Sequence, residues 1–337
     1  MANTQYPLVS VTIPVYNTES FVARCLNSVL QQTYPNLEVI VVEDCSTDNS
    51  RQIVKDFLQN NAYTASSKKF TLIENERNEG SALARSKGLQ AAQGEWLLWL
   101  DSDDFWDNEQ IISLWVERAM QSNSEVVVSD YYADYPRKIV THRVPRIAQG
   151  KQFAYALLRG ETQGFLHNKL IRKDLFLQRS MPWMAGENLL EDLGALIPFF
   201  YQTERVDYFD LPTVHYVQYN NGAYTKNVRS QSVQKMLSLV HRLEQVLAPE
   251  CLKDSLLRES MPFVYWIIIR MLAEKAPLQD YPQIASIASQ TRSSVWQLSL
   301  PFYDRLTLYL QTQNTLTFPL GRLMTCFKRR VKNFLRN

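Results

Sequence analysis

Asp101, Ser102, Asp103 and Asp104 place three carboxylates in four residues directly after residues 96–100, an unbroken apolar run, WLLWL. Such a run suits a strand buried on both faces of a mostly parallel sheet, and open α/β sheets bind ligands beyond the carboxyl ends of their strands. Carboxylates held this close repel one another, a conflict that a divalent cation and a phosphate-bearing ligand would relieve. The competing reading is a solvated turn in which Asp104 or Asp107 caps the next helix. A second acidic strand end, Glu43-Asp44-Cys45-Ser46-Thr47-Asp48, follows residues 37–42, and Glu191 and Asp192 sit on the early turns of an apolar helical pattern over 186–201.

The elements that must position these groups alternate. Residues 8–13 read as a strand ending at Pro14, and 19–32 as a helix with Phe21, Val22, Leu26, Val29 and Leu30 at helical spacing. A strand over 37–42 precedes a helix over 49–59 that Thr47 or Asp48 can cap, then a strand over 70–73 and a helix over 81–92 lead to the central strand. This β-α-β-α-β-α-β order implies right-handed crossovers and a parallel sheet with helices on both faces. A helix over 108–120 and a short strand over 125–129 follow. Beyond residue 131 the alternation lapses. The basic stretch 136–146 reads as a loop or hairpin, 164–176 carries His167, Asn168 and Lys169 ahead of another helix, and 206–219 suggests one or two strands. From residue 228 the chain reads as helices broken by Pro249, Pro262, Pro277, Pro282, Pro301 and Pro319, with no internal repeat.

Composition bounds the rest. A chain of 337 residues with 45% apolar content can fill the core of one large domain or two modest ones. Lys plus Arg (36) nearly balances Asp plus Glu (34), so no overall field calls for nucleic acid as a partner. Cys25, Cys45, Cys251 and Cys326 have no CxxC spacing, which argues against a zinc site or a disulfide framework and for a reducing compartment. The first apolar run lacks a basic flank, and 263–269 is short and ends on Arg270, so neither a signal peptide nor a transmembrane helix is expected. Residues 322–337 hold Arg322, Lys328, Arg329, Arg330, Lys332 and Arg336 with no acid, interleaved with apolar residues. A helix of this kind can lie on an anionic membrane surface, each cation contributing about 1 kcal/mol; the alternative is a packed terminal helix with a solvated basic face.

Six segments, VTIPVYN (11–17), SVLQQTYPNLEVIVVEDCSTDNS (28–50), RNEGSALARSKGL (77–89), GEWLLWLDSDD (94–104), NKLIRKDLF (168–176) and LLEDLGALIPFF (189–200), together resemble glycosyltransferase family 2 in order and spacing. Six motifs in register are far more specific than a lone DxD or ED. The resemblance implies a GT-A fold: an α/β, Rossmann-like, mostly parallel central sheet with flanking helices over 1–225, plus a C-terminal helical extension over 226–337. The first domain would divide into a nucleotide-binding half (1–104) and an acceptor half (105–225). It also implies inverting transfer of a sugar from a nucleotide sugar, assisted by a divalent metal.

Residue roles carried over from that resemblance are expectations. Pro14 and Tyr16 would wall the base pocket and Asp44 would accept the ring N–H of uracil, which makes a UDP-sugar the expected donor. Glu43-Asp44-Cys45 departs from the family's usual two aspartates and glycine. Asp101, Ser102 and Asp103 match the DxD element: Asp103 would coordinate Mg²⁺ or Mn²⁺, Asp101 would bond the ribose or assist the metal, and Asp104 would support either task. Arg85 stands where the family carries a basic residue that reaches the diphosphate; otherwise it is an exposed helix cation. Ser86 and Lys87 replace the family's common asparagine. Asp192 would be the base that takes the acceptor's proton, with Glu191 holding the acceptor or nearby backbone and Glu187 as a competitor. His215 is a late metal ligand or a hydrogen-bonded core histidine, and His167 is structural or acceptor-facing. The enzyme implied is cytoplasmic and peripheral on the inner face of the cell membrane through 322–337. Its acceptor would be a lipid-linked glycan, as in bacterial capsule, exopolysaccharide or O-antigen assembly. Two rival readings are a metal-dependent phosphatase or nucleotidyltransferase using the same acidic strand end, and a membrane-peripheral scaffold that has lost turnover.

Overall fold

The computed structural model describes residues 6–61, 68–222, 230–265 and 267–268. The chain forms two compact units, Met1–Phe153 with Gly164–Gly222, and Ala154–Gln163 with Ala223–Asn337.

The first unit begins with the expected alternation: β1 (Val9–Val15), α1 (Val22–Leu30), β2 (Leu37–Glu43), α2 (Ser50–Asn61), β3 (Lys69–Glu74), α3 (Ser81–Ala91), β4 (Trp96–Trp99) and α4 (Ile111–Ser122). Strands β2 and β4 are buried along their whole length, which is why β4 reads as a continuous apolar run and β2 as one over Val39 to Val42. Helix α1 turns Val22, Cys25, Leu26 and Val29 inward, one helical stripe. The sheet order is β3-β2-β1-β4-β7-β5-β6, with β8 on β5. Strands β1 to β4 are mutually parallel, and the order reverses between β1 and β4. A sheet of this kind opens a ligand crevice at that reversal.

The part of the sheet after α4 differs from the sequence expectation. The strand expected over 125–129 is β5 (Val126–Tyr135), and the basic stretch after it is a hairpin strand, β6 (Lys138–His142). A helix unmarked in the sequence reading, α5 (Gly150–Leu158), precedes β7 (Lys169–Arg172), which inserts antiparallel between β4 and β5. Four residues, three of them buried, carry too little periodicity to mark a strand. Then follow α6 (Lys173–Arg179), α7 (Glu191–Tyr201) and β8 (Val206–Val217), the last parallel to β5 with a bulge near Asp130. The helix expected from residue 186 starts only at Glu191, because Gly186 and Leu190 hold φ of 79° and 64°. Strand β1 runs through Pro14 instead of ending there. Beyond Thr12, β4 no longer pairs with β1, and Pro14 shares the parity of Thr12, whose carbonyl faces β4, so its missing N–H costs no ladder bond.

In the second unit, α8 (Ser230–Cys251) buries Met236, Leu239, Val240, Leu243 and Leu247 on one stripe and continues through Pro249, contrary to the expected break there; the proline sits two residues from its end. Asp254 caps α9 (Ser255–Ser260) by accepting from the Leu257 N–H, and accepts from the Tyr155 hydroxyl at 2.5 Å. No helix among the described residues is long and apolar enough to cross a membrane. The basic segment 322–337 lies outside the described residues.

Candidate active site

The loops after β1 and β2 are laced together. Asn17 Oδ1 accepts from the Thr47 N–H at 2.8 Å, Ser50 Oγ accepts from the Thr18 N–H at 2.8 Å, and Glu19 Oε2 accepts from the Asn49 N–H at 2.9 Å. Asn17 and Cys45 take left-handed backbone, at φ of 50° and 57°. Cys45 thus occupies a conformation that glycine adopts without strain. Tyr16, at the end of β1, is 43% exposed. Asp44 is almost fully buried, and its carboxylate accepts from Asn75 Nδ2 (2.7 Å), the Glu79 N–H (2.8 Å) and the Gly80 N–H (2.7 Å). Asp44, for which a base contact is expected, holds the β3–α3 loop in place through these bonds. Gly80 sits at φ of 89° against Asn188, where a Cβ would fall 2.2 Å from the amide oxygen.

Arg85, buried on α3, joins the two carboxylate segments across the crevice. Its Nη2 donates to Asp101 Oδ1 at 2.7 Å and its Nη1 to Glu191 Oε1 at 2.6 Å, while Asp192 Oδ1 lies 3.6 Å from Nη1. Ser81 Oγ also donates to Glu191 Oε1, at 2.8 Å, and Trp183 Nε1 to the Glu191 carbonyl at 3.2 Å. The structure therefore brings together Arg85, Asp101, Glu191 and Asp192. Burial alone would weaken the guanidinium's hold on its proton, but Asp192, Asp101 and Glu191 raise its pKa well above the ordinary value. Asp192, its side chain 18% exposed, has its carboxyl pushed up to about 7 by burial, against the opposing pull of Arg85.

The turn after β4 points its side chains in different directions. Ser102 Oγ accepts from Thr18 Oγ1 at 3.0 Å, Asp103 Oδ2 accepts from Asn220 Nδ2 at 2.9 Å, and Asp104 Oδ1 accepts from the Val217 N–H at 2.8 Å. Burial, then Asp104 and Asp101, push the Asp103 carboxyl up to about 7, and burial and Asp101 likewise raise Asp104. His167, buried ahead of β7, places Nδ1 3.2 Å from Asp104 Oδ2. Burial pushes its pKa down to about 4. Asp101, Asp104 and His167 each offer a ligand atom within 4.8 Å of the other two. Asp104 Oδ2, His167 Nε2, Asp192 Oδ1 and Arg85 Nε are buried without a hydrogen-bond partner. A buried polar atom without a partner marks a place where a ligand can complete the structure.

A search by family profile matches residues 10–178 to the family described as Glycosyl transferase family 2. The chain belongs to that family. Among family 2 relatives, EpsH of Bacillus subtilis (strain 168) is 29% identical over 217 residues, 62% of this chain and 60% of EpsH. The UDP-Glc:alpha-D-GlcNAc-diphosphoundecaprenol beta-1,3-glucosyltransferase WfgD of Escherichia coli is 34% identical over 124 residues, 37% of this chain and 46% of WfgD. The chain thus spans less than two thirds of the length of these curated relatives. The crystal structure of S. aureus TarS 1-349 in complex with UDP-GlcNAc superposes with a TM-score of 0.63 at 20% identity, covering 96% of this chain and 92% of that one. The family 2 chain has the GT-A fold expected of it, a mixed, mostly parallel sheet with flanking helices and a C-terminal helical part.

The family 2 match covers Asp101, Asp103, Asp104 and His167 but stops before Glu191 and Asp192, which the tertiary fold brings to Arg85. His167, expected as structural or acceptor-facing, is the histidine of the acidic group. His215 is not part of that group: it stacks on Phe105 at 4.3 Å and pairs through Nε2 with Asp107 at 3.0 Å. Glu187 accepts from the Met184 N–H within its own loop. Lys169, fully buried, donates to the Phe165 carbonyl and to Asn168 Oδ1, and burial pushes its pKa down to about 7. Nothing in its sequence context marks that burial. A cavity of about 430 Å³, lined by Asp107, Ile111, Leu114, Tyr132, Leu211 and Pro212 among others, includes none of the carboxylates joined by Arg85.

Proposed function

We propose that this chain is an inverting, metal-assisted glycosyltransferase that moves a sugar from a UDP-sugar to a lipid-linked glycan acceptor. The observation that carries the reading is the Arg85 bridge. It brings the acidic end of β4 and the first turn of α7 together with one carboxylate oxygen of Asp192 buried and unpaired. Inversion needs a base facing the acceptor hydroxyl, and a carboxyl poised near 7 suits that task. Asp192 takes the hydroxyl proton. Arg85 and Ser81 hold Glu191, so the first turn of α7 keeps Asp192 in position. Arg85 and Asp101 face the donor side, and Tyr16 and Pro14 border the base.

The donor set fits a hard divalent cation: Asp104 Oδ2 is buried without a hydrogen-bond partner, 3.2 Å from His167 Nδ1, and two carboxylates and an imidazole offer ligand atoms within 4.8 Å of one another. Asp101, Asp104 and His167 would hold Mg²⁺ or Mn²⁺, with Asp103 beside them. Such a cation supplies Lewis-acid neutralisation of charge on the departing diphosphate. The named activity of WfgD and the UDP-GlcNAc bound to TarS support a uridine donor, and the WfgD name supports a diphosphate-linked lipid acceptor. The basic segment 322–337 supports a place on the inner face of the membrane.

Calorimetry with UDP, GDP and a non-hydrolysable UDP-sugar, each with Mn²⁺ and with chelator, tests this. Metal-dependent binding of the uridine ligands alone is expected. Asp192→Asn should retain that binding and lose about 10²- to 10⁴-fold in transfer; transfer at the parent rate would remove Asp192 as base. Binding by none of the three ligands would leave the scaffold reading.

A further inference from the structure

The β5–β8 pairing sorts aromatic side chains onto two faces, because neighbouring residues of a strand point opposite ways. Tyr132 and His215 share one face, beside Phe105. Tyr131 stacks on its β6 partner His142 at 5.1 Å on the other face, and Tyr216 stands opposite the small Ala133. Phe165, from the loop before β7, meets Tyr216 at 5.1 Å and Tyr131 at 5.7 Å. His167 completes the group, 5.0 Å from Phe165 and 5.1 Å from Tyr216. Phe165, His142 and Tyr216 are half-buried, whereas Tyr131 and His167 are buried.

His167 ties this cluster to the site. Its Nδ1 faces Asp104, so Nε2, at the opposite edge of the imidazole, points away from the acidic turn. That atom is buried, in a residue only 3% exposed, and has no hydrogen-bond partner. The Tyr216 hydroxyl bonds the Gln218 side chain.

Resting on the glycosyltransferase reading, we propose that Phe165 and Tyr216, backed by Tyr131 and His142, form the platform on which a pyranose ring of the acceptor stacks. His167 Nε2 and the Tyr216 hydroxyl meet its hydroxyl groups. Ring faces pack against the C–H face of a pyranose and polar edges serve its rim, the mixture of apolar wall and few placed polar groups that ligand sites use. An acyl chain would leave the imidazole nitrogen unpaired.

The test is saturation-transfer NMR on the full chain with UDP and Mg²⁺, using methyl pyranosides of glucose, galactose, mannose and N-acetylglucosamine as probes. At least one pyranoside should receive saturation on its C–H protons. Phe165→Leu and Tyr216→Leu, which keep bulk but lose the ring face, should cut that transfer at least fivefold while melting within a few degrees of the parent and binding UDP within twofold. Undiminished transfer in both variants, or none to any probe in a parent chain that binds UDP, overturns the platform. Loss of the sugar signal as UDP is titrated in also overturns it, since the rings would then hold the nucleotide. A parent chain that binds no UDP strikes the glycosyltransferase reading itself.

Discussion

At the scale of single residues, the site depends on how each carboxylate is partnered. Asp101 and Glu191 are each paired with Arg85 at hydrogen-bond distance, whereas Asp192 stands 3.6 Å off with an oxygen unpaired. Its carboxyl, pushed up to about 7 by burial, must be ionised to act as a base. Sugar transfer should therefore fall tenfold per pH unit on the acid side of an apparent pKa no higher than about 7, since a bound cation would lower it. A rate that shows no such fall at any acidic pH at which the chain stays folded would remove that role. Cys45 offers a separate check. A side chain in left-handed backbone costs about 1–2 kcal/mol, most for β-branched residues. Cys45→Gly should be at least as stable as the parent in urea unfolding, while Cys45→Val should lose about 1–2 kcal/mol.

At the scale of elements, the candidate site is a meeting of three: helix α3 supplies Arg85, the end of β4 supplies Asp101, and the first turn of α7 supplies Glu191 and Asp192. The reversal of strand order between β1 and β4 opens the crevice, and antiparallel β7 carries the His167 loop alongside. Removing the shared cation tests the arrangement. Arg85→Met leaves three carboxylates without their counter-charge and should lower stability at pH 7 by about 3–5 kcal/mol in denaturant unfolding. The Asp192 carboxyl is raised above its unfolded value by burial and loses the opposing pull of Arg85 in the variant; a carboxyl raised in the folded state makes stability fall as pH rises through that window, so the deficit should shrink as the pH is lowered toward 5. An unchanged midpoint at pH 7 would show that Arg85 is not the link between these elements.

At the scale of the molecule, the first unit carries the whole Arg85-centred site and the aromatic cluster. The basic segment 322–337 makes a membrane-level prediction. The chain should sediment with vesicles containing anionic lipid, release as salt is raised toward about 1 M, where the screening length is about 3 Å, and ignore neutral vesicles. Equal binding to neutral vesicles would mean that charge is not what holds it.

The alternating half of the fold, β1 to α4, was legible in the sequence because strands β1, β2 and β4 are buried on both faces and helices such as α1 on one, which writes apolar runs and 3.6-residue apolar patterns into the chain. The acidic strand ends were legible for the same reason, since a run such as WLLWL stopping on DSDD leaves carboxylates at a ligand-binding edge. The short β7, helix α5 and the late start of α7 were not, because four residues, or two left-handed turns, carry no period. Nor could spacing show which acids share a cation, that Asp44 would turn inward, or that His167 and not His215 would join the acidic group. Those outcomes depend on through-space burial and pairing between residues far apart in sequence, 106 positions in the Arg85–Glu191 bond, and so only the tertiary structure decided them.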